Sequence, residues 1–392
     1  MTSSPLLKNI RVLDLTNVLS GPFCGYQMAL LGADVIKVES PEGGDLARQL
    51  GADAGLNRDY LGASFLAQNG GKRSIELNLK KPEDVETFKS LVQTADVVLE
   101  NFRPGVMDRL GLGYEALKAI KGDIVYCAIS GFGKDGPLSG APAYDQIIQG
   151  LSGLMSITGD SESAPLRVGY PLCDTLGGMT AAFAICAALV RRAHSGEGAF
   201  VDVSMLDSTL VSMGWIVSNL LIAGQQPTPM GNENFTAAPS GTFTTGDGPI
   251  NIAANKQQQF EMLCDIIGAP ELKSDPRFAE RETRKRNRFA LKGLIEQQLA
   301  GSNAATWEKK FNDAGIPAGQ VLSMAQALSQ PQVQHRNLFA QVPFAHSGRS
   351  ELPLARSGFQ VDGYATGPAT APPLRGQHSE EILRELAAVA DA

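Results

Sequence analysis

Asp174 stands directly before a long, almost uniformly apolar stretch, where a helix N-cap is expected and a short acidic side chain accepts from the first free amides. Gly169, Pro171, Gly177 and Gly178 flank it with so little side-chain bulk that a large ligand could approach closely. A carboxylate there can cap, attack an electrophile, or do both, because amides at a helix start favour its charged form. A second candidate is the run Val97-Val98-Leu99-Glu100-Asn101-Phe102-Arg103-Pro104-Gly105, a strand that ends in a polar loop closed by Pro and Gly. A parallel sheet presents ligands at such loops, and a plain turn is the alternative. Arg109, just beyond, could hold a phosphate through its planar guanidinium.

Other chemistries lose their warrants. No GxSxG elbow, GKS/GKT phosphate loop or HExxH helix occurs, and Gly111-Leu112-Gly113 is only a fragment of a dinucleotide fingerprint. The five cysteines, Cys24, Cys127, Cys173, Cys186 and Cys264, are widely spaced, with no CxxC pair and no His at metal-ligand spacing, which suggests neither a metal site nor a disulfide framework.

The elements that must position these residues alternate in type. Ile10–Leu15, Val35–Val38, Ser74–Leu79, Val97–Leu99 and Ile124–Ala128 read as strands, while Gly21–Leu31, Pro82–Thr94 and Tyr114–Ile120 carry apolar residues at helical spacing. The pattern predicts an α/β fold with a mostly parallel sheet covered by helices. Thr175–Arg192 reads as a buried helix closed by Arg191 and Arg192, and Phe200–Val203 as a further strand. Composition shifts to Gly, Pro, Gln and Asn between Gly224 and Asn234, marking a domain boundary. Beyond it, Gly241–Ala254 reads as a hairpin turning at Gly246-Asp247-Gly248. Helices follow to about Ala314, and a Pro-, Ser- and Gly-rich tail after Gln330 ends in the helical pattern Ser379–Val389.

A net charge of −7 would repel a nucleic-acid backbone overall, and the basic run Arg281–Arg288 reads more readily as a solvated helix face than as a phosphate patch. Met1–Ile10 lacks a signal-peptide layout and the apolar run Met179–Val190 is short for a bilayer span, so the expectation is a cytoplasmic protein with no membrane partner.

Several segments in order resemble the class III CoA-transferases, the CaiB/BaiF or formyl-CoA transferase-like family, whose relatives include alpha-methylacyl-CoA racemases. They are Val12–Thr16 followed by Gly21-Pro22, Leu31–Glu39 (LGADVIKVE), Asn69–Leu79 (NGGKRSIELNL), Glu100–Leu110 (ENFRPGVMDRL), and Asp174 before its helix. The resemblance implies a Rossmann-like large domain built from both chain ends, residues 1–224 and 329–392. It also implies a smaller α+β domain, residues 225–328, and two chains interlocked as a homodimer. It places coenzyme A, as substrate, against Val18, Leu19, Ser20, Leu77, Asn78, Lys80, Asn101, Phe102, Arg103, Arg109, Pro142, Tyr144 and Asp145, with Lys80 and Arg109 at phosphates and no metal. Asp174 would be the nucleophile, passing through a mixed anhydride and an aspartyl-CoA thioester.

Racemases of the family pair the Asp with a His, and the corresponding segment here, Ala143-Tyr144-Asp145-Gln146, carries Tyr144 in its place. Moving an α-proton needs two acid/base groups on opposite faces of the carbon, so the expectation is CoA transfer. The donor would be an acyl-CoA such as succinyl-CoA, and the acceptor a small mono- or dicarboxylate such as itaconate, mesaconate, malate or oxalate. An acyl-CoA racemase or epimerase, and a CoA-binding protein without turnover, are the alternatives. Met230–Gly241 lacks the run of glycines that formyl-CoA transferase carries over its active site. Arg48 and Arg167 are candidates for holding an acceptor's second carboxylate or for purely structural roles.

Overall fold

The computed structural model describes residues 5–390. The first four residues of the Met1–Ile10 stretch and the last two of the 329–392 segment lie outside them. The described chain forms two compact units, one running to Leu154 and including Arg167–Gln225 and the residues from His335, the other made of Met155–Leu166 and Gln226–Gln334.

The larger unit is built on a six-stranded sheet: β1 (Arg11–Asp14), β2 (Asp34–Glu39), β3 (Arg73–Glu76), β4 (Val97–Glu100), β5 (Val125–Ser130) and β6 (Ala199–Ser204). The strand order is β3-β2-β1-β4-β5-β6 and every pairing is parallel. The order reverses direction at β1 and β4, where a doubly wound sheet opens a crevice at its carboxyl end. Strands buried on both faces need continuous apolar runs, and Val97, Val98 and Leu99 of β4 are fully buried.

One sheet face is covered by α1 (Ser20–Leu30) and α4 (Leu172–Ser195), the other by α2 (Pro82–Gln93), the helix Tyr114–Ile120 and α7 (Ser379–Ala390). The C-terminal part returns to this unit. Arg11 and Arg73 both reach Glu385 of α7, at 3.0 and 2.7 Å. The antiparallel hairpin of β10 (Phe339–His346) and β11 (Arg349–Ala355) packs its apolar face on Phe65 and Leu66.

Helix α4 runs three residues beyond the expected Thr175–Arg192 at each end, so the apolar run Met179–Val190, expected to be short for a bilayer span, lies within 24 helical residues. By length and composition it could cross a membrane, which corrects that expectation. Its small-residue face, Gly177, Gly178, Ala181, Ala182 and Ile185, is instead packed into the core, and Arg192 in its last turn pairs with Asp96 at 2.7 Å. Gly178 is obligatory for the approach of α1, since a Cβ there would lie 2.3 Å from the Ser20 carbonyl oxygen.

In the second unit, β7 (Ser240–Thr244) and β8 (Pro249–Ala253) form the expected hairpin and β9 (Ala318–Gln320) adds to it antiparallel. Helices pack a core of Phe243, Phe260, Leu291 and Phe311 against the sheet. Arg284 does not lie on a solvated face. It is 2 % exposed, with its guanidinium on the carbonyls of Ala238 and Phe278 and stacked on Phe260.

Candidate active site

The loops that leave the carboxyl ends of β1 and β4 are clasped together. Asn17 N donates to Asn101 Oδ1 and Asn101 Nδ2 donates to Asn17 O, each at 2.8 Å. The next residue, Val18, has φ +68°, a left-handed conformation that a β-branched residue adopts only when its surroundings impose it. The anchor is Asp45, whose Oδ1 accepts from Val18 N at 2.9 Å while its other oxygen pairs with Lys37 at 2.9 Å. Lys37 also donates to Thr16 O, and Lys72 pairs with Asp14 at 2.8 Å and donates to Pro22 O. All four charged side chains are buried, so each survives only because its partners replace water. Burial alone would lift the Asp14 carboxyl, but Lys72 and Lys37 hold it below its ordinary range.

The strained turn delivers Leu19 and Ser20 to the start of α1, and there a cavity of about 240 Å³ opens. Val18, Leu19, Ser20, Asn101, Phe102, Arg103, Pro142, Tyr144 and Asp174 all line it, so the structure brings nine of the predicted residues together. Asn17, Ser130, Ser139 and Met205 also line it, without having been singled out in the sequence. The remaining residues sit apart. Leu77 is buried in the core beside Ile75, the Asn78 amide donates to Asp84, and Lys80 and Arg109 are exposed outside this cavity.

Asp174 is not the N-cap of its helix. Pro171 holds the cap position and Asp174 is the third helical residue. The capping carboxylate is Asp145, at the start of α3 (Asp145–Leu151), whose Oδ1 accepts from the amides of Cys173 at 2.8 Å and Asp174 at 3.4 Å. Its Oδ2 accepts from Gln149 Nε2 at 2.7 Å. Asp145 is 6 % exposed and its carboxylate is turned onto the helix rather than into the cavity, which departs from its expected place as a CoA contact. With the amides engaged by Asp145, the Asp174 side chain is released toward the cavity. Burial, reinforced by the nearby Asp145 charge, pushes its carboxyl up to about 7.

Glu100, at the end of β4, is likewise raised to about 7 by burial, although the Phe102 amide donates to it. It lines a neighbouring cavity with Tyr114, Tyr126 and Phe200 rather than the one holding Asp174. Arg48 is a structural arginine, fully buried in a bidentate pair with Glu39 at 2.7 Å on both arms. Among the described residues no group of three or more His, Cys, Asp or Glu could hold a metal ion.

The profile of CoA-transferase family III matches residues 7–379. Acetyl-CoA:oxalate CoA-transferase of Acetobacter aceti is 43% identical over 83% of this chain and 83% of its own length. Succinyl-CoA:glutarate CoA-transferase of Mus musculus is 36% identical over 97% of this chain and 86% of its own. The crystal structure of a CAIB/BAIF family protein from Brucella suis superposes with a TM-score of 0.85 at 33% identity, covering 97% of this chain and 99% of that one. Acting on CoA thioesters, and built on the doubly wound sheet described above, this chain belongs to CoA-transferase family III.

Proposed function

We propose that the enzyme moves CoA from a small acyl-CoA donor, such as succinyl-CoA, to a small mono- or dicarboxylic acid such as oxalate, itaconate, mesaconate or malate, with Asp174 as the nucleophile. The observation that carries this reading is a single cavity lined by the start of α1, which has no side-chain cap, the Asn101–Arg103 loop and a half-buried carboxylate. The names of relatives that act on oxalate and glutarate support the substrate class.

In this mechanism an Asp174 oxygen attacks the thioester carbonyl carbon, and collapse of the tetrahedral adduct breaks the C–S bond to give a mixed anhydride and CoA thiolate. The thiolate then attacks the Asp174 carbonyl carbon of the anhydride, which expels the donor's carboxylate and leaves an aspartyl-CoA thioester. The acceptor carboxylate runs the same steps backwards. Splitting one exchange into two matched acyl transfers is covalent catalysis, and it works because thiolate and carboxylate are both good leaving groups. Val18 to Ser20 and Asn101 to Arg103 would flank the thioester arm of CoA, and Lys80 and Arg109 would meet its phosphates further out. Asp145 acts on Asp174 as a positioning residue.

The test is an assay of the pure protein with succinyl-CoA and a panel of these acids in deuterated solvent. New acyl-CoA species without α-deuteration are expected. Exchange of the substrate α-proton with no need for a free acid would favour the racemase alternative instead.

We further propose a homodimer of interlocked chains, with each large domain completed by both chain ends. Its support is the apolar outer surface that helices of the larger unit leave uncovered: Phe183 of α4, Val211 of α5 (Met205–Ser212), and Leu221 and Ile222 of α6 (Gly214–Ala223) are each more than three-quarters exposed. Light scattering should give twice the 41.5 kDa chain mass, and a single-chain mass would refute the assembly.

A further inference from the structure

Ser20 is 3 % exposed and lines the cavity that holds Asp174, and its hydroxyl oxygen, shielded from solvent beside Gly177, has no hydrogen-bond partner. A buried hydroxyl left unsatisfied costs free energy comparable to a lost hydrogen bond, so its retention calls for a reason. Its position supplies one. Ser20 is the first residue of the eleven-residue helix α1, which begins with no side-chain cap, so the hydroxyl and the helix start present partial positive charge together. A Cβ on Gly177 would lie 3.0 Å from Ser20 Oγ. Gly177 is three residues on from Asp174 and therefore on the same helix face, with Cβ positions roughly 5–6 Å apart. Ser20 and Asp174 thus line one cavity from adjoining helices, and the Asp174 carboxyl carbon is the one reacting atom whose place is fixed by the fold rather than by the substrate.

We propose that Ser20 Oγ–H is a catalytic hydrogen-bond donor to the oxyanion that forms on the Asp174 carbonyl, an inference that rests on the reading of Asp174 as nucleophile. When CoA thiolate attacks that carbonyl, the C–S bond forms and the C=O electron pair moves onto oxygen. The adduct collapses by breaking the C–O bond to the departing carboxylate, and the oxygen returns to a carbonyl. The acceptor half-reaction crosses the same kind of adduct in reverse. Preorganised donors aimed at developing charge act where water is excluded, and each is worth about 10²–10³-fold in rate.

Because this oxyanion belongs to the enzyme rather than to the acyl group, Ser20→Ala should slow every donor–acceptor pair by the same factor. With succinyl-CoA as donor and oxalate or glutarate as acceptor, kcat and the single-turnover rate of aspartyl-CoA formation are both expected to fall about 10²-fold. The melting temperature should stay unchanged, because the oxygen removed bonds nothing in the fold. A rate within threefold of the unaltered enzyme would overturn the proposal, as would a loss that differs between acceptors or one that tracks a lowered melting temperature. Failure of the nucleophile reading would look different: the unaltered enzyme would then carry no CoA on Asp174 at all.

Discussion

Asp174→Ala is expected to abolish CoA transfer, with kcat falling on the order of 10³–10⁶-fold, the range seen when a covalent nucleophile is removed. The affinity for free CoA should change little. The loops that would bind it are held by Asn101, Asp45 and Lys37, none of which depends on the Asp174 side chain. The fold should also tolerate the change, because the helix is capped by Asp145 and not by Asp174. Steady-state assays paired with a CoA titration check both halves. Retention of more than a tenth of the activity, or loss of activity together with loss of CoA binding, would count against a nucleophilic role.

The second large effect is on pH dependence. Burial, with a further push from Asp145, holds the Asp174 carboxyl near 7, while the attacking form is the carboxylate. The free enzyme therefore loses its nucleophile as pH falls, and kcat/KM, which reports free-enzyme groups, should drop about tenfold per unit below pH 7. Asp145→Asn removes a like charge yet keeps an oxygen for the Cys173 and Asp174 amides. The acid limb should move to lower pH, leaving only the contribution of burial, at a stability cost of about 1 kcal/mol for the lost Gln149 bond. A profile flat from pH 5 to 8, or a limb that moves upward in the variant, would show that Asp174 is not the group titrating.

Much of this was legible in the residues. The parallel sheet announced itself because strands buried on both faces need apolar runs such as Val97–Leu99, and the hairpin because Gly246-Asp247-Gly248 marks a turn, although neither glycine takes a positive φ there and the Thr245 hydroxyl, bonded to Gly248 O, organises it. The cavity loops were legible by resemblance. Three features were not. The cap on α4 comes from Asp145, which lies 29 residues before Asp174, and no local pattern encodes so distant a partner. The positive φ of Val18 runs against the preference of its own side chain and is imposed by the buried Asp45–Lys37 pair. The inclusion of Met155–Leu166 in the second unit likewise depends on tertiary contacts, including the bond from Gly231 N to Gly159 O. In each case a tertiary demand overrode local propensity.

The central claim is the covalent one, and mass spectrometry of the Asp174 peptide tests it most directly. After incubation with succinyl-CoA and no acceptor, followed by rapid acid quench and digestion, the peptide spanning Asp174 should carry the mass of CoA in thioester linkage, and addition of an acceptor acid before the quench should discharge it. An unmodified Asp174 peptide in an enzyme that is turning over, or CoA found on another residue, would contradict the account.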